Sequence, residues 1–190
     1  MKNIPRIKGN KINLCSLRTD EEAVLKYTKW MNDESINQYV SRSGRVATLV
    51  NEKDWANSVA SSDTNLTFNI VEKESDNLIG NCDIRVVPNS RNAILGICIG
   101  ESEGRNKGYG TEAISLMLNF CFNELNMHRV KLTVLADNTR AVKCYEKCGF
   151  VTCGHEHEVA YINGEYKDVL SMEILKKKFN VHNKIILDIH

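Results

Sequence analysis

No stretch of the sequence comes near the ~18 consecutive apolar residues of a membrane-crossing helix, so a helical span is excluded. The opening residues, Met1 to Lys8, lack the apolar core of a secretory signal. Only two prolines occur, Pro5 and Pro88, and neither marks a long linker. Charge of one sign is missing too. Lys+Arg total 25 against 24 Asp+Glu, a formal net charge of +1. That balance excludes an acidic disordered chain and a generally basic nucleic-acid binder, while leaving room for a local basic pocket. Internal repeats and low-complexity segments are absent, and so is any CxxC pair. The seven cysteines lie scattered at 15, 82, 98, 121, 144, 148 and 153, several inside apolar runs where a free thiol acts as a small hydrophobe. Such usage suits a reducing, cytoplasmic setting.

What is present suffices for one packed domain. At 190 residues and 42% hydrophobic content, folding can bury roughly two-thirds of the chain's surface without disulfides or metals. The expected organisation is a single domain over 1–175 and a tail over 176–190, with Lys176, Lys177, Lys178 and Lys184 set against Asp188. Residues 11–17 alternate as a strand. Asp20 is placed to cap a helix running to about Met31, and a second short helix is expected from about Glu52 to Ala60. Between them, Ser41, Ser43 and Gly44 suggest a loop. Residues 66–72, 78–87 and 91–100 read as a three-strand meander. A well-buried helix is expected over 108–125 and a strand over 129–136. A further helix runs from Asn138 to Cys148, with Gly149 to close it. Strands at 150–160 and 166–174 flank Asn163-Gly164, a strong hairpin signal. The order describes a mixed α/β domain.

The most informative segment is Arg105-Asn106-Lys107-Gly108-Tyr109-Gly110-Thr111, which follows a strand and opens a buried helix. Glycines at 108 and 110 permit close backbone approach. Successive N–H groups at a helix N-terminus then form an anion cradle, and Arg105 and Lys107 add positive charge. A pyrophosphate needs these features. A Walker A loop is absent. Gly108-x-Gly110-x-x-Ala113 formally fits the dinucleotide fingerprint, but that motif follows its strand almost directly within βαβ units, whereas antiparallel strands precede this one. A glycine-rich helix start with no ligand is the remaining reading of the loop by itself.

Arg-x-x-Gly-x-Gly resembles the acetyl-CoA pyrophosphate loop of the GNAT acetyltransferases, and the whole segment from Ala93 to Phe150 resembles that superfamily's core. A second signature is Asn138-x-x-Ala141-x-x-x-Tyr145-Glu146-Lys147-x-Gly149-Phe150. The ending, Gly164-Glu165-Tyr166-x-Asp168 and then Met172-Glu173-Ile174-Leu175, resembles the ribosomal-protein-alanine N-acetyltransferase branch, and polyamine acetyltransferases share a similar one. The resemblance implies an α/β (α+β) fold. Its central sheet is mixed and mostly antiparallel, of about seven strands flanked by about four helices, and the parallel strands 94–100 and 129–136 splay apart. It implies acetyl-CoA as cosubstrate, with backbone groups of Ile97, Cys98 and Ile99 on the pantetheine arm and the pyrophosphate on residues 105–111. Asn138 and Ala141 would meet the arm from the other side. Tyr145 would act as general acid. No metal is implied.

The implied reaction is direct acetyl transfer to an amine, from a protein N-terminus or a small molecule such as spermidine or spermine. An aliphatic ammonium, with a pKa of about 10.4, must first lose a proton. Glu101 is the candidate base or water-relay anchor, with Glu103 as a weaker alternative. The acceptor is expected between residues 20–60 and the 155–168 hairpin, with Trp30, Asp33, Glu34 and Trp55 as candidate lining. A non-catalytic acetyl-CoA-binding module is the rival reading. The expected partners are an amine acceptor and, as an admissible assembly, a second copy of the chain, with no nucleic acid and no membrane. Cys144 and Cys148, spaced i, i+4, and His155-Glu156-His157-Glu158 carry metal-ligating residue types. Neither set offers enough further ligands in sequence to make a site, and the strand reading leaves both histidines, like His128, as ordinary surface groups.

Overall fold

A computed structural model describes residues 2–39, 46–105 and 107–179. Its strands are β1 (Pro5–Lys8), β2 (Ile12–Ser16), β3 (Asn65–Glu72), β4 (Leu78–Val87), β5 (Asn92–Ile99), β6 (Arg129–Leu135), β7 (Val151–Ile162) and β8 (Glu165–Leu175). Its helices are α1 (Glu21–Asn32), α2 (Glu34–Asn37), α3 (Leu49–Ala60), α4 (Tyr109–Asn119) and α5 (Thr139–Lys147). All the strands form one sheet of eight, in the order β1-β2-β3-β4-β5-β6-β8-β7. Every neighbouring pair is antiparallel except β5 and β6. The fold class matches the expectation, with one strand more than the seven expected. The addition is β1, an edge strand whose first residue is Pro5, where a missing N–H costs the ladder nothing.

The helices sit where capping and periodicity put them. Asp20 caps α1 through the Ala23 N–H, Thr48 caps α3 through the Asn51 N–H, and Asn138 caps α5 through the Ala141 N–H. Three short helical elements lie beyond the sequence reading, namely α2, a 3-10 turn at Ser102–Gly104 and a helical turn over 176–179. The long helix expected over 108–125 is α-helical only to Asn119 and then widens into a π turn, Phe120–Glu124. The reason is packing. Phe120, Cys121 and Phe122 are all buried, and a narrow α-helical stripe cannot turn three consecutive side chains inward. Residues 40–45, Asn106 and 180–190, including most of the tail, lie outside the described residues, as does the Glu103 side chain.

Two apolar clusters form, and strand alternation assigns them to opposite faces of the sheet. Ile97 and Ile99 join the larger cluster with Tyr109, Ala113, Met117 and Tyr145 of α4 and α5. Cys98, between them, joins the smaller one with Tyr27 and Trp30 of α1, Ile36 of α2 and Ala56 of α3. The sheet is therefore sandwiched, with α1–α3 on one face and α4–α5 on the other. Buried Asn69 ties the smaller cluster down. Its side chain accepts from the Arg18 N–H at 2.9 Å and exchanges hydrogen bonds with the Tyr27 hydroxyl.

Candidate active site

The parallel ladder between β5 and β6 is short: Asn92, Ala93 and Ile94 pair with Arg129, Val130 and Lys131, and there it stops. Further along, β6 pairs with β8 as far as Leu135 and Val169, while β5 stays with β4. From Leu95 to Ile99 the facing edge of β5 thus has no β6 partner. A cavity of about 700 Å³ opens at this split. Ile97, Cys98 and Ile99 line it, with Gly108, Tyr109, Gly110 and Thr111 from the glycine loop and Asn138, Ala141 and Tyr145 from the start and body of α5. The strand edge offers unpaired backbone donors and acceptors, and the loop offers a helix N-terminus. An extended molecule with an amide-bearing arm and a diphosphate fits that combination.

Gly108 is the N-cap of α4 at φ +86°, a left-handed conformation that glycine adopts at little cost. Three cations lie near this turn. Arg105 lines the cavity and its guanidinium donates to Ser35 Oγ at 3.3 Å. Lys107 instead borders a neighbouring depression, its ammonium 3.8 Å from Glu72 and over the Tyr109 ring. Lys11, from the turn before β2, donates to the Lys107 carbonyl at 3.2 Å. Sequence distance hid that third cation. Tyr109 contributes the helix start, but its hydroxyl donates to Glu72.

Tyr145 is held by the end of its own helix. The Phe150 N–H reaches back to the Tyr145 carbonyl at 3.1 Å and the Gly149 N–H to Glu146 at 2.9 Å, with Gly149 at φ +92°. This Schellman closure seats the Phe150 ring edge-on to the Tyr145 ring, centroids 5.9 Å apart. The Tyr145 ring is buried, its hydroxyl makes no hydrogen bond to a described residue, and burial raises its pKa well above that of a free phenol. It therefore stays protonated at neutral pH. Cys98 lies nearby, and burial pushes its thiol up to about 11. Cys144 lies 3.3 Å from Thr111 Oγ1, and its contact with Cys148 lowers its own pKa and raises that of Cys148.

The carboxylates are distributed otherwise than the sequence suggested. Glu101 follows β5 as expected, but it is not among the residues lining the cavity. Its Oε1 accepts from Lys26 Nζ at 3.0 Å and from Trp30 Nε1 at 3.3 Å. Asp83 and Glu52 do line the cavity. Asp83 stands opposite Gly96 across the β4–β5 ladder, on the face covered by α1–α3. A Cβ at Gly96 would stand 2.4 Å from Asp83 Oδ1, so glycine there makes room for the carboxylate. Burial raises the Asp83 pKa above the usual carboxylate range, partly offset by Arg85. Of the four expected acceptor-lining residues, Trp55 faces the cavity. Trp30 is buried beside it, Asp33 caps α2 through the Ser35 N–H, and Glu34 is exposed. Met31, Ile36, Tyr39 and Glu52 also line that wall. Of these, Ile36 lies in α2, a helix too short and with too few apolar residues to leave a periodic pattern, whereas Met31 and Glu52 lie on the expected helices α1 and α3.

The family model described as acetyltransferase (GNAT) domain matches residues 11–151. The chain is 40% identical over 111 residues to a spermidine N(1)-acetyltransferase of Vibrio cholerae, covering 58% of this chain and 64% of that protein. It is 38% identical over 84 residues to the L-amino acid N-acetyltransferase AaaT of Escherichia coli, covering 44% of this chain and 51% of that protein. These alignments span about half to two-thirds of the relatives' lengths. A crystal structure of spermidine N-acetyltransferase from Vibrio cholerae in complex with CoA and spermine aligns with a TM-score of 0.81 at 28% identity, covering 90% of this chain and 99% of that one.

Proposed function

The chain belongs to the GNAT acetyltransferases, whose family model matches residues 11–151, and on that premise we propose that it transfers the acetyl group of acetyl-CoA to an aliphatic amine by direct attack. The observation that carries this reading is the split between β5 and β6, where one cavity is lined by both the Gly108 turn and Tyr145. Bound acetyl-CoA supplies an activated acetyl group as a thioester. The free β5 edge at Ile97, Cys98 and Ile99 orients the pantetheine arm and directs a backbone N–H at the developing oxyanion. The start of α4 holds the diphosphate, with Arg105 and Lys11 beside it. Tyr145 donates its hydroxyl proton to the departing sulfur.

The amine must lose a proton before it attacks. Asp83 is the preferred acceptor of that proton, because it lines the cavity on the α1–α3 face and its raised pKa makes it a stronger base than an exposed carboxylate. Glu101 serves as the alternative, acting through water from its Lys26 and Trp30 anchorage.

For the acceptor, a di- or polyamine such as spermidine is favoured over a ribosomal-protein N-terminus. Relatives named for spermidine acetylation support this, as do two carboxylates, Asp83 and Glu52, in the cavity wall. The C-terminal strand ending that resembles the ribosomal branch is shared by polyamine enzymes and does not separate the two. An acceptor screen with protein N-terminal peptides, polyamines, aminoglycosides and amino sugars, read by free CoA thiol, tests the proposal. Spermidine is expected to give the highest kcat/KM. Best turnover on a peptide restores the ribosomal branch, and no turnover on any amine leaves a binding module.

A further inference from the structure

Away from the cavity, on the β7–β8 hairpin, the structure supplies what the sequence could not: a third ligand for the two histidines of His155-Glu156-His157-Glu158. Strand alternation turns His155 and His157 to one face, their rings 4.2 Å apart between centroids. Asp168, on the neighbouring strand, meets both. Its Oδ2 lies 2.7 Å from His155 Nε2 and 3.1 Å from His157 Nδ1. All three ligand atoms lie within 4.8 Å of one another, the one such trio of His, Cys, Asp or Glu among the described residues.

The backbone is shaped around this meeting point. The β7–β8 register runs from Glu156↔Val169 to Ala160↔Lys167, so three residues of β7 bulge opposite Asp168 alone. At the crest, Glu158 has φ +55°, and its N–H donates to Asp168 Oδ1 at 2.9 Å. That bond fixes one carboxylate oxygen and aims the other at both imidazoles, as outer hydrogen bonds do for ligating carboxylates.

The geometry points to a binding site for one divalent ion of the zinc class, held by His155, His157 and Asp168. Two imidazoles and a single carboxylate suit zinc, nickel or copper, whereas magnesium and calcium require an oxygen shell. Bonds of about 2.0–2.2 Å to each donor place neighbouring ligand atoms roughly 3.3 Å apart, so Asp168 Oδ2, now 2.7 Å from His155 Nε2 and 3.1 Å from His157 Nδ1, must draw back from both to admit the ion. Each imidazole then presents its lone pair where it now shares a proton with Asp168. His157 is exposed, which leaves room for water to complete the shell. The ion would cross-link β7 to β8 at the point where their ladder is broken. No step of acetyl transfer involves it.

Isothermal titration of the full chain with Zn²⁺ tests this, after chelator treatment and in a non-thiol reductant. One equivalent is expected to bind with a micromolar Kd and to raise the melting temperature. His157→Gln, His155→Gln and Asp168→Asn are each expected to weaken that binding by at least ~10-fold. Melting without metal verifies that each variant folds, and both histidine side chains are exposed. Because Cys144 and Cys148 also attract zinc, Co²⁺ serves as a second probe, and a spectrum free of thiolate charge transfer is expected. No saturable equivalent in the wild type, unchanged affinity in the three variants, or a cobalt–thiolate band would each overturn the assignment.

Discussion

Tyr145 is decided by its neighbours rather than by its type. A buried tyrosine at this point of a helix is ordinary core, and the Phe150 contact alone would say no more. What supports the chemical role proposed for it is that it lines the cavity and that its hydroxyl makes no hydrogen bond to a described residue. Tyr145→Phe keeps the ring and removes the proton. Its kcat is expected to fall by roughly 10²-fold, with acetyl-CoA affinity and melting temperature little changed. Full activity would return the residue to the core. The two carboxylates separate in the same way. A base must be deprotonated to act, so activity falls as pH falls through its pKa. If Asp83 is that base, its burial puts the acid limb of the kcat profile above the ordinary carboxylate value of about 3.9. Asp83→Asn is expected to abolish the limb and lower kcat, while Glu101→Gln leaves the limb in place. The reverse pattern would give the role to Glu101. Local pattern pointed to Glu101 because it stands at a strand end beside the loop. Asp83 lies in a different strand, and only the β4–β5 register and the gap at Gly96 bring it to the cavity.

At the scale of elements, α1 depends on its first turn. Asp20 caps the helix and pairs with the buried Arg18 guanidinium at 2.7 Å, which Glu22 also meets. The Arg18 contact holds the Asp20 pKa at about 2. A carboxylate with a depressed folded-state pKa stabilises the fold above its unfolded pKa, and that contribution is lost as pH falls through the folded value. Its loss window therefore runs from just above pH 3.8 down to about 2. Asp20→Ala is expected to cost about 1 kcal/mol or more at neutral pH. Asp20→Asn keeps the cap but flattens this acid window, as chemical denaturation across pH would reveal. The glycine turn before α4 behaves differently. A Cβ at Gly108 meets no protein atom closer than Lys11 Nζ at 3.8 Å, so a side chain is strained there rather than crowded. Gly108→Val is expected to cost roughly 1–2 kcal/mol in backbone strain. It also intrudes on the anion cradle, and calorimetry is expected to find acetyl-CoA affinity at least ~10-fold weaker. Near-native affinity would move the diphosphate elsewhere. The helices capped by Asp20 and Asn138 and the Asn163-Gly164 hairpin were legible because their signals lie within a few residues. The π turn after Asn119 was not, because it answers to three buried side chains packing against distant strands.

For the whole molecule, the split sheet makes stability and binding one property. A ligand that enters between β5 and β6 binds only the folded chain. Acetyl-CoA at about 100 times its Kd is therefore expected to add ~2.7 kcal/mol, or roughly 5–10 °C in melting temperature for a chain of this size. Thermal melts at several ligand concentrations would check it, and no shift would argue against the cavity as the binding site. The amino-acid sequence by itself determined the order of seven strands and four helices, the Asp20 and Asn138 caps, the glycine turn and the Asn138–Phe150 signature, because each depends on neighbours within a turn or a strand. It also determined Tyr145's place on α5. Tertiary structure alone decided how far β5 stays beside β6, that Lys11 reaches the glycine turn, and that Asp83 rather than Glu101 lines the cavity. It alone brought Asp168 to His155 and His157. Those are contacts across strand registers and between faces of the sheet, and register is set by the packing of the entire core.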